Sequence, residues 1–201
     1  MATIATRAGT TKPTLYARFG AKDALFAATV RREHRLLSER LFAAYDSGAD
    51  EPFRRRLRRW NAAGFEFVRE RPDGYRLSSE AERHPSAATI VQQAIDERID
   101  RIAQLVVGVS GHPDGVGARL VAAMIVGTHR WCAHEAVRHP ELSLDDVAAL
   151  CESFLYGALR SLDTDLMDAI SEAGRKAVTR TARARAGSGR SRAPSRRRGA
   201  R

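Results

Sequence analysis

Ala8-Gly9-Thr10-Thr11-Lys12-Pro13-Thr14-Leu15-Tyr16-Ala17-Arg18-Phe19-Gly20-Ala21-Lys22-Asp23-Ala24-Leu25 is the stretch that decides the fold of this chain. Ahead of it, Thr3 to Ala8 reads as a short helix running into a glycine. Thr11 then suits the N-cap of a second short helix, with Pro13 in its first turn, where a missing N–H costs nothing. In that helix Leu15 and Phe19 stand four apart and point to one side, into a core. Lys12, Pro13 and Tyr16 face away. A long amphipathic helix follows from Lys22, with Leu25, Phe26, Val30, Leu37, Leu41, Phe42 and Tyr45 at spacings of three and four. Short helix, glycine turn, capped short helix and long helix make a helix-turn-helix, the shape that lays a helix in the DNA major groove.

Outward from this unit the pattern stays helical, and the expected fold class is all-α. Gly48 stops the long helix. Pro52 opens the next, whose apolar face is Phe53, Leu57, Trp60, Gly64, Phe67 and Val68, and Pro72-Asp73-Gly74 is read as its end. A shorter segment covers about 75–83. Ala87, Val91, Ala94, Ile95, Ile102, Leu105 and Val106 mark another long helix, stopped near Gly108 to Gly111. Two helices are expected to finish the body. One runs from about Gly115 to Arg138. The other is opened by the capping-box spacing of Ser143 and Asp146 and carries Leu150, Phe154, Gly157, Ala158 and Leu162. The small residues Gly127, Gly157 and Ala158 would let helix axes approach closely, either between two copies or within one core.

The net charge of +10 is uneven. Eleven Lys and Arg residues lie at 175–201 with no acid among them, so residues 1–174 carry −1. That segment lacks apolar anchors and is expected to be a disordered basic tail from about residue 174, with transient helix over Arg175 to Ala186 as the alternative. Such a tail would bind duplex without sequence preference, through counterion release; deleting 175–201 is expected to flatten the salt dependence and spare sequence preference. Arg54, Arg55, Arg56, Arg58 and Arg59 read as a solvated face. No stretch approaches 18 uninterrupted apolar residues and no signal-peptide pattern opens the chain, so a cytoplasmic protein without membrane contact is expected. Cys132 and Cys151 read as two inert buried thiols.

The opening stretch resembles the signature of TetR/AcrR-family transcriptional regulators. Alanine-glycine and a hydroxyl-rich turn lead into threonine-leucine-tyrosine, two variable residues and phenylalanine, then lysine, an acid, one variable residue and leucine. The resemblance implies a DNA-binding unit at 1–45, an effector-binding and dimerisation domain at 46–170, and the tail at 174–201. It implies that Lys12, Pro13 and Tyr16 face the groove while Thr14, Tyr16 and Lys22 hold phosphate; Thr11 and Arg18 complete the expected DNA-contacting set. A homodimer would place two such helices about 34–36 Å apart on a palindromic operator. Gly127, Leu150, Phe154, Gly157 and Ala158 are the expected dimer interface. Trp60, Phe67, Tyr75, Met124 and Trp131 are the expected lining of a pocket for a small apolar effector. Family members carry a further helix of some fifteen to twenty residues before this unit. Met1 falls at the start of the second family helix, so the chain as it stands is expected to bind an operator weakly and a longer form tightly.

The implied function is a sequence-specific transcriptional regulator, a ligand-responsive repressor. Two rivals remain: a helical ligand-binding or dimerisation protein with impaired specific DNA binding, and a non-specific DNA binder working through its tail. An enzyme is disfavoured because no catalytic set converges. No cofactor is expected. His129, Cys132, His134 and His139 lack the spacing of a closed metal site, so no metal is expected either.

Overall fold

The computed structural model describes residues 1–48, 50–110 and 115–189. The described residues are all-α, with no strand among them. Their helices are α1 (Ala2–Arg7), α2 (Lys12–Phe19), α3 (Lys22–Asp46), α4 (Phe53–Glu70), α5 (Pro72–Glu80), α6 (Ala88–Ser110), α7 (Val116–Arg138), α8 (Leu144–Arg160) and α9 (Thr164–Gly189), with a 3-10 turn at Ala81–Arg83.

Glycine makes the two turns of the amino-terminal unit. Gly9 and Gly20 have φ of 60° and 74°, the left-handed region that a side chain resists. The Gly20 N–H reaches back 2.8 Å to the Tyr16 carbonyl and closes α2. Leu15 is buried, Phe19 half-buried, and Ile4 exposed. Helix α3 spans roughly 37 Å at ~1.5 Å per residue, so one rigid rod joins the small unit to the body.

The main core gathers Leu41 and Tyr45 of α3, Leu57, Trp60, Phe65, Phe67 and Val68 of α4, Tyr75 of α5, Ile102 of α6, Val121 and Ile125 of α7, and Cys151 and Leu155 of α8. A second, smaller cluster holds Val30 of α3 against Ala81, Ala87 and Val91, with Phe26 and Leu77 at its edge. Beside it the carboxylate of Glu33, itself buried, takes two hydrogen bonds from Arg71, at 2.7 Å (Nε) and 2.6 Å (Nη2). The first half of α3 is therefore clamped to the 3-10 turn and the ends of α4 and α6. Its last turn is packed in the main core.

Three expectations need correction. Pro72 ends nothing: α4 stops at Glu70, and Pro72 is the first residue of α5, where its fixed φ favours a helix start. The helix carrying Leu150 and Phe154 is not the last. Helix α9 follows it and continues past residue 174 to Gly189. Its front half docks on α7, where Met167 and Ser171 are buried and the Ser171 hydroxyl accepts the Gly117 N–H at 2.9 Å. A docked first half supplies the costly nucleus, and the Ala, Arg and Lys that follow propagate readily. The part of the expected tail at 190–201 lies outside the described residues. Lastly, the arginines of α4 are more than a solvated face. Arg58 pairs with Glu152 of α8 at 3.1 Å, Arg59 holds Glu51 at 2.5 Å, and Arg54 lies over the Tyr156 ring at 4.8 Å.

Candidate nucleic-acid interface and internal cavities

Thr11 caps α2 as its sequence position requires. Its hydroxyl accepts the Thr14 N–H at 3.3 Å and lies 2.8 Å from the Thr14 hydroxyl. Lys12 stands over the Tyr16 ring, 5.8 Å from its centroid, and Arg18 lies 5.7 Å from that of Phe19. Thr11, Lys12, Pro13, Thr14, Tyr16, Arg18 and Lys22 are all exposed. None of the seven touches an acidic side chain within ion-pair or hydrogen-bond distance among the described residues. Tyr16, 42% exposed, is a large aromatic left on a small unit's surface. The unit thus shows one face of hydroxyls, two cations on α2 and a third at the start of α3, held in place from behind by Leu15.

Two small cavities lie deeper, on either side of Tyr45 and Trp60, whose rings stack at 5.9 Å and 19°. The first, about 60 Å³, is mainly apolar, lined by Phe53, Leu57, Ile102, Leu105, Ile125 and Leu159, with Arg56 as its one charged wall residue. The second, about 30 Å³, is lined by Leu37, Leu41, Tyr75, Val126, His129 and two arginines, Arg98 and Arg130. Arg130 is ion-paired with Glu82. The Tyr75 hydroxyl donates to the Arg130 carbonyl at 3.0 Å, and burial pushes its pKa up to about 12. His129 is packed between Trp60 and Phe65, with ring centroids at 4.9 and 4.8 Å, and against Gly64, where a Cβ would overlap the imidazole. Burial holds its pKa down to about 4. His34 is likewise held to about 4, by burial first and by Arg98 and Arg130 second.

Of the residues expected to line an effector pocket, Trp60 borders both cavities and Tyr75 the second. Phe67 is buried in the core without bordering either. Met124 and Trp131 need correction. They are 66% and 60% exposed, on the outward side of α7, because α7 turns Val121, Ile125 and His129 inward and a helix cannot turn every apolar residue the same way. They share that outer side with Leu120 and Gly127, and on α8 Leu150 and Phe154 are exposed as well. A Cβ at Gly127 or Gly157 would meet nothing within 4 Å among the described residues.

The four side chains considered as metal ligands lie apart. His129 is buried against α4, Cys132 lies beside Cys151, His134 packs edge-on to Trp131, and His139 pairs with Glu135 and Glu141. Among the described residues no group of three or more His, Cys, Asp or Glu could hold a metal ion, and no helix is long and apolar enough to cross a membrane.

Sequence reasoning missed Arg98, which the cavity shares with His34 and Ser38 behind it. A signal was present: Val91, Ile95, Arg98, Ile102 and Leu105 follow one another at helical spacing, so a guanidinium interrupts an apolar stripe.

Residues 1–29 match the model of the tetR family of bacterial regulatory proteins. Among solved structures the chain is similar to a TetR-like transcriptional regulator from Rhodococcus sp. RHA1. The two are 29% identical and superpose with a TM-score of 0.63, over 79% of this chain and 83% of that one. The amino-terminal unit matches that family's model and the helical body is similar to that of a TetR-like regulator, so the fold is that of TetR-like transcription regulators.

Proposed function

We propose that the chain is a ligand-responsive repressor that binds a palindromic operator as a homodimer. The observation that carries this reading is the α2 face. Thr11, Lys12, Pro13, Thr14 and Tyr16 are exposed together on a helix capped by Thr11 and anchored by Leu15, with Lys22 one turn away. Hydroxyls and ammonium groups so arranged serve phosphate oxygens, and the α2 N-terminal end is the part that reaches base edges. Arg18 adds a cation at the other end of α2.

Dimerisation is supported by the outer face of α7 and α8. Leu120, Met124, Trp131, Leu150 and Phe154 are between 43% and 71% exposed, an apolar surface that a lone chain leaves in water. Gly127, Gly157 and Ala158 lie on the same two helices and leave room for a second copy, so that a twofold axis would build a four-helix interface. Regulation by a small molecule is supported by the continuity of α3. Its Tyr45 walls both cavities, and Lys22 begins it at the DNA-binding unit. A ligand that moves Tyr45 acts on the rod that sets the separation of the two α2 helices. It releases DNA only by the difference in its affinity for the two separations. The chain works in the cytoplasm, where its operator is.

The test is competition between specific and random duplex for the full chain. Lys12→Ala and Tyr16→Ala should each weaken specific binding at least tenfold, about 1.4 kcal/mol, and leave binding to random duplex within about threefold. Equal loss on both duplexes would transfer the function to a non-specific binder.

A further inference from the structure

We infer that the cavity beside Arg98 takes a monocarboxylate with an apolar body, and that Arg98 is the group that holds the carboxylate. The inference rests on the reading of the cavities as an effector site and names the chemistry of the effector.

Arg98 is buried to 4% exposure in the middle of the helical body. Burial lowers its pKa, and the guanidinium stays charged all the same, because an arginine does not lose its proton in a protein. A buried cation of this kind ordinarily has a carboxylate beside it. Here no carboxylate lies within 4.0 Å of it among the described residues. Its neighbour Glu97 is exposed and faces a surface groove with Asp96 and Asp100. The hydrogen bonds of Arg98 are two long ones through Nη1, at 3.4 Å to the Ser38 hydroxyl and 3.5 Å to His34 Nδ1. Among the described residues Nε and Nη2 make none. The second guanidinium of the cavity, Arg130, already has Glu82.

The charge balance of the cavity is therefore one cation in excess, with an N–H fork open to it. A carboxylate matches that fork: two oxygens accept two parallel N–H bonds, charge-assisted and shielded from water. The remaining walls set the rest of the ligand. Leu37, Leu41, Trp60 and Val126 are apolar, and His129, neutral at ordinary pH and without a partner for Nε2, lines the same space. Across the Tyr45–Trp60 pair lies the larger apolar cavity. Swinging Tyr45 aside joins the two into a slot with the buried Arg98 at one end and a mainly apolar other end, where Arg56 is the one charged wall residue. An acid with a phenyl or short alkyl body fits that polarity. A neutral apolar molecule would leave the guanidinium unpaired, and a second carboxylate beside the first would find Arg130 already paired with Glu82.

The experiment is calorimetric titration of the full chain with acetate, hexanoate, octanoate and phenylacetate and with the corresponding amides. The acids with apolar bodies should bind at least tenfold tighter than their amides. In Arg98→Met that preference should vanish, with acid affinity falling to the amide level. Arg98→Lys, which keeps the charge and loses the fork, should fall between. Melting temperatures exclude a merely structural role. Arg98→Met removes an unpaired buried charge and should melt no lower than the parent chain. Acids and amides of equal affinity, no binding by any acid of the series, or an Arg98→Met chain that melts lower and still prefers acids would each overturn the inference. DNA is absent from every titration. Failure to find a preferred duplex would therefore sink the regulator reading and leave this result standing, and the reverse holds equally.

Discussion

At the scale of single residues, the body depends on two close fits. Gly64 of α4 is the point where α7 comes near enough to seat His129, and a methyl there would strike the imidazole between Trp60 and Phe65. Gly64→Ala should therefore destabilise the chain by about 2 kcal/mol, as overpacking of a filled site does, despite the better helix propensity of alanine. Urea unfolding reads this directly, and an unchanged midpoint would mean that the helices separate freely. The second fit is electrostatic. His34 and His129 are buried neutral, with pKa values of about 4, below the ordinary 6.5. Arg98 and Arg130 disfavour a charge on His34, Glu33 favours one, and Arg98 disfavours one on His129. Both imidazoles take up protons more readily unfolded than folded between those values. Stability is thus complete above about pH 6.5 and falls as pH drops towards 4, by about 3 kcal/mol for each histidine. Thermal melts from pH 7.5 to 4.5 should show that decline, and its absence in a His34→Gln/His129→Gln double variant would assign it. These residues also show why part of the cavity was hard to read in the sequence. His129 reads as one of several scattered histidines, because nothing in the spacing of α7 says that α4 supplies a glycine opposite it. Arg98 looks like any arginine until the apolar stripe around it is seen to be buried.

At the scale of elements, legibility follows the range of the forces involved. Helix α2 was readable almost to the residue. A threonine cap and a first-turn proline act within one turn, and the structure repeats both at Thr11 and Pro13; the structure adds Gly20 as the closing residue. The capping-box spacing of Ser143 and Asp146 was legible for the same reason, with the Ser143 hydroxyl accepting the Asp146 N–H at 3.3 Å. Helix α9 was not legible. Its sequence is too polar to announce a core helix, and what holds it is a contact distant in the chain, its Met167 and Ser171 packed against α7. Met124 and Trp131 were misread because apolar periodicity marks a buried face without saying what buries it. Their exposure makes α7 and α8 the place to test assembly. A Leu150→Glu/Phe154→Glu chain should be monomeric where the parent is dimeric, by sedimentation equilibrium, and its helical circular dichroism should be retained because neither side chain is in the core. An unchanged mass for the variant would move the interface elsewhere.

At the scale of the whole molecule, α3 links two regions with different tasks. Its start, at Lys22, belongs to the exposed helix-turn-helix; its middle is clamped by Val30 and by the Glu33–Arg71 pair; and its end, at Tyr45, walls both cavities. A rod held at three points transmits a displacement of its end rather than absorbing it, which is what a ligand-controlled spacing between two copies of α2 requires. The central claim is that this α2 face reads sequence and does so twice. Selection from a pool of random duplexes by the full 201-residue chain tests it most directly. An inverted repeat with half-sites about one helical turn apart, lost on Tyr16→Ala, is the predicted outcome. A pool that emerges without any enriched sequence would contradict the account.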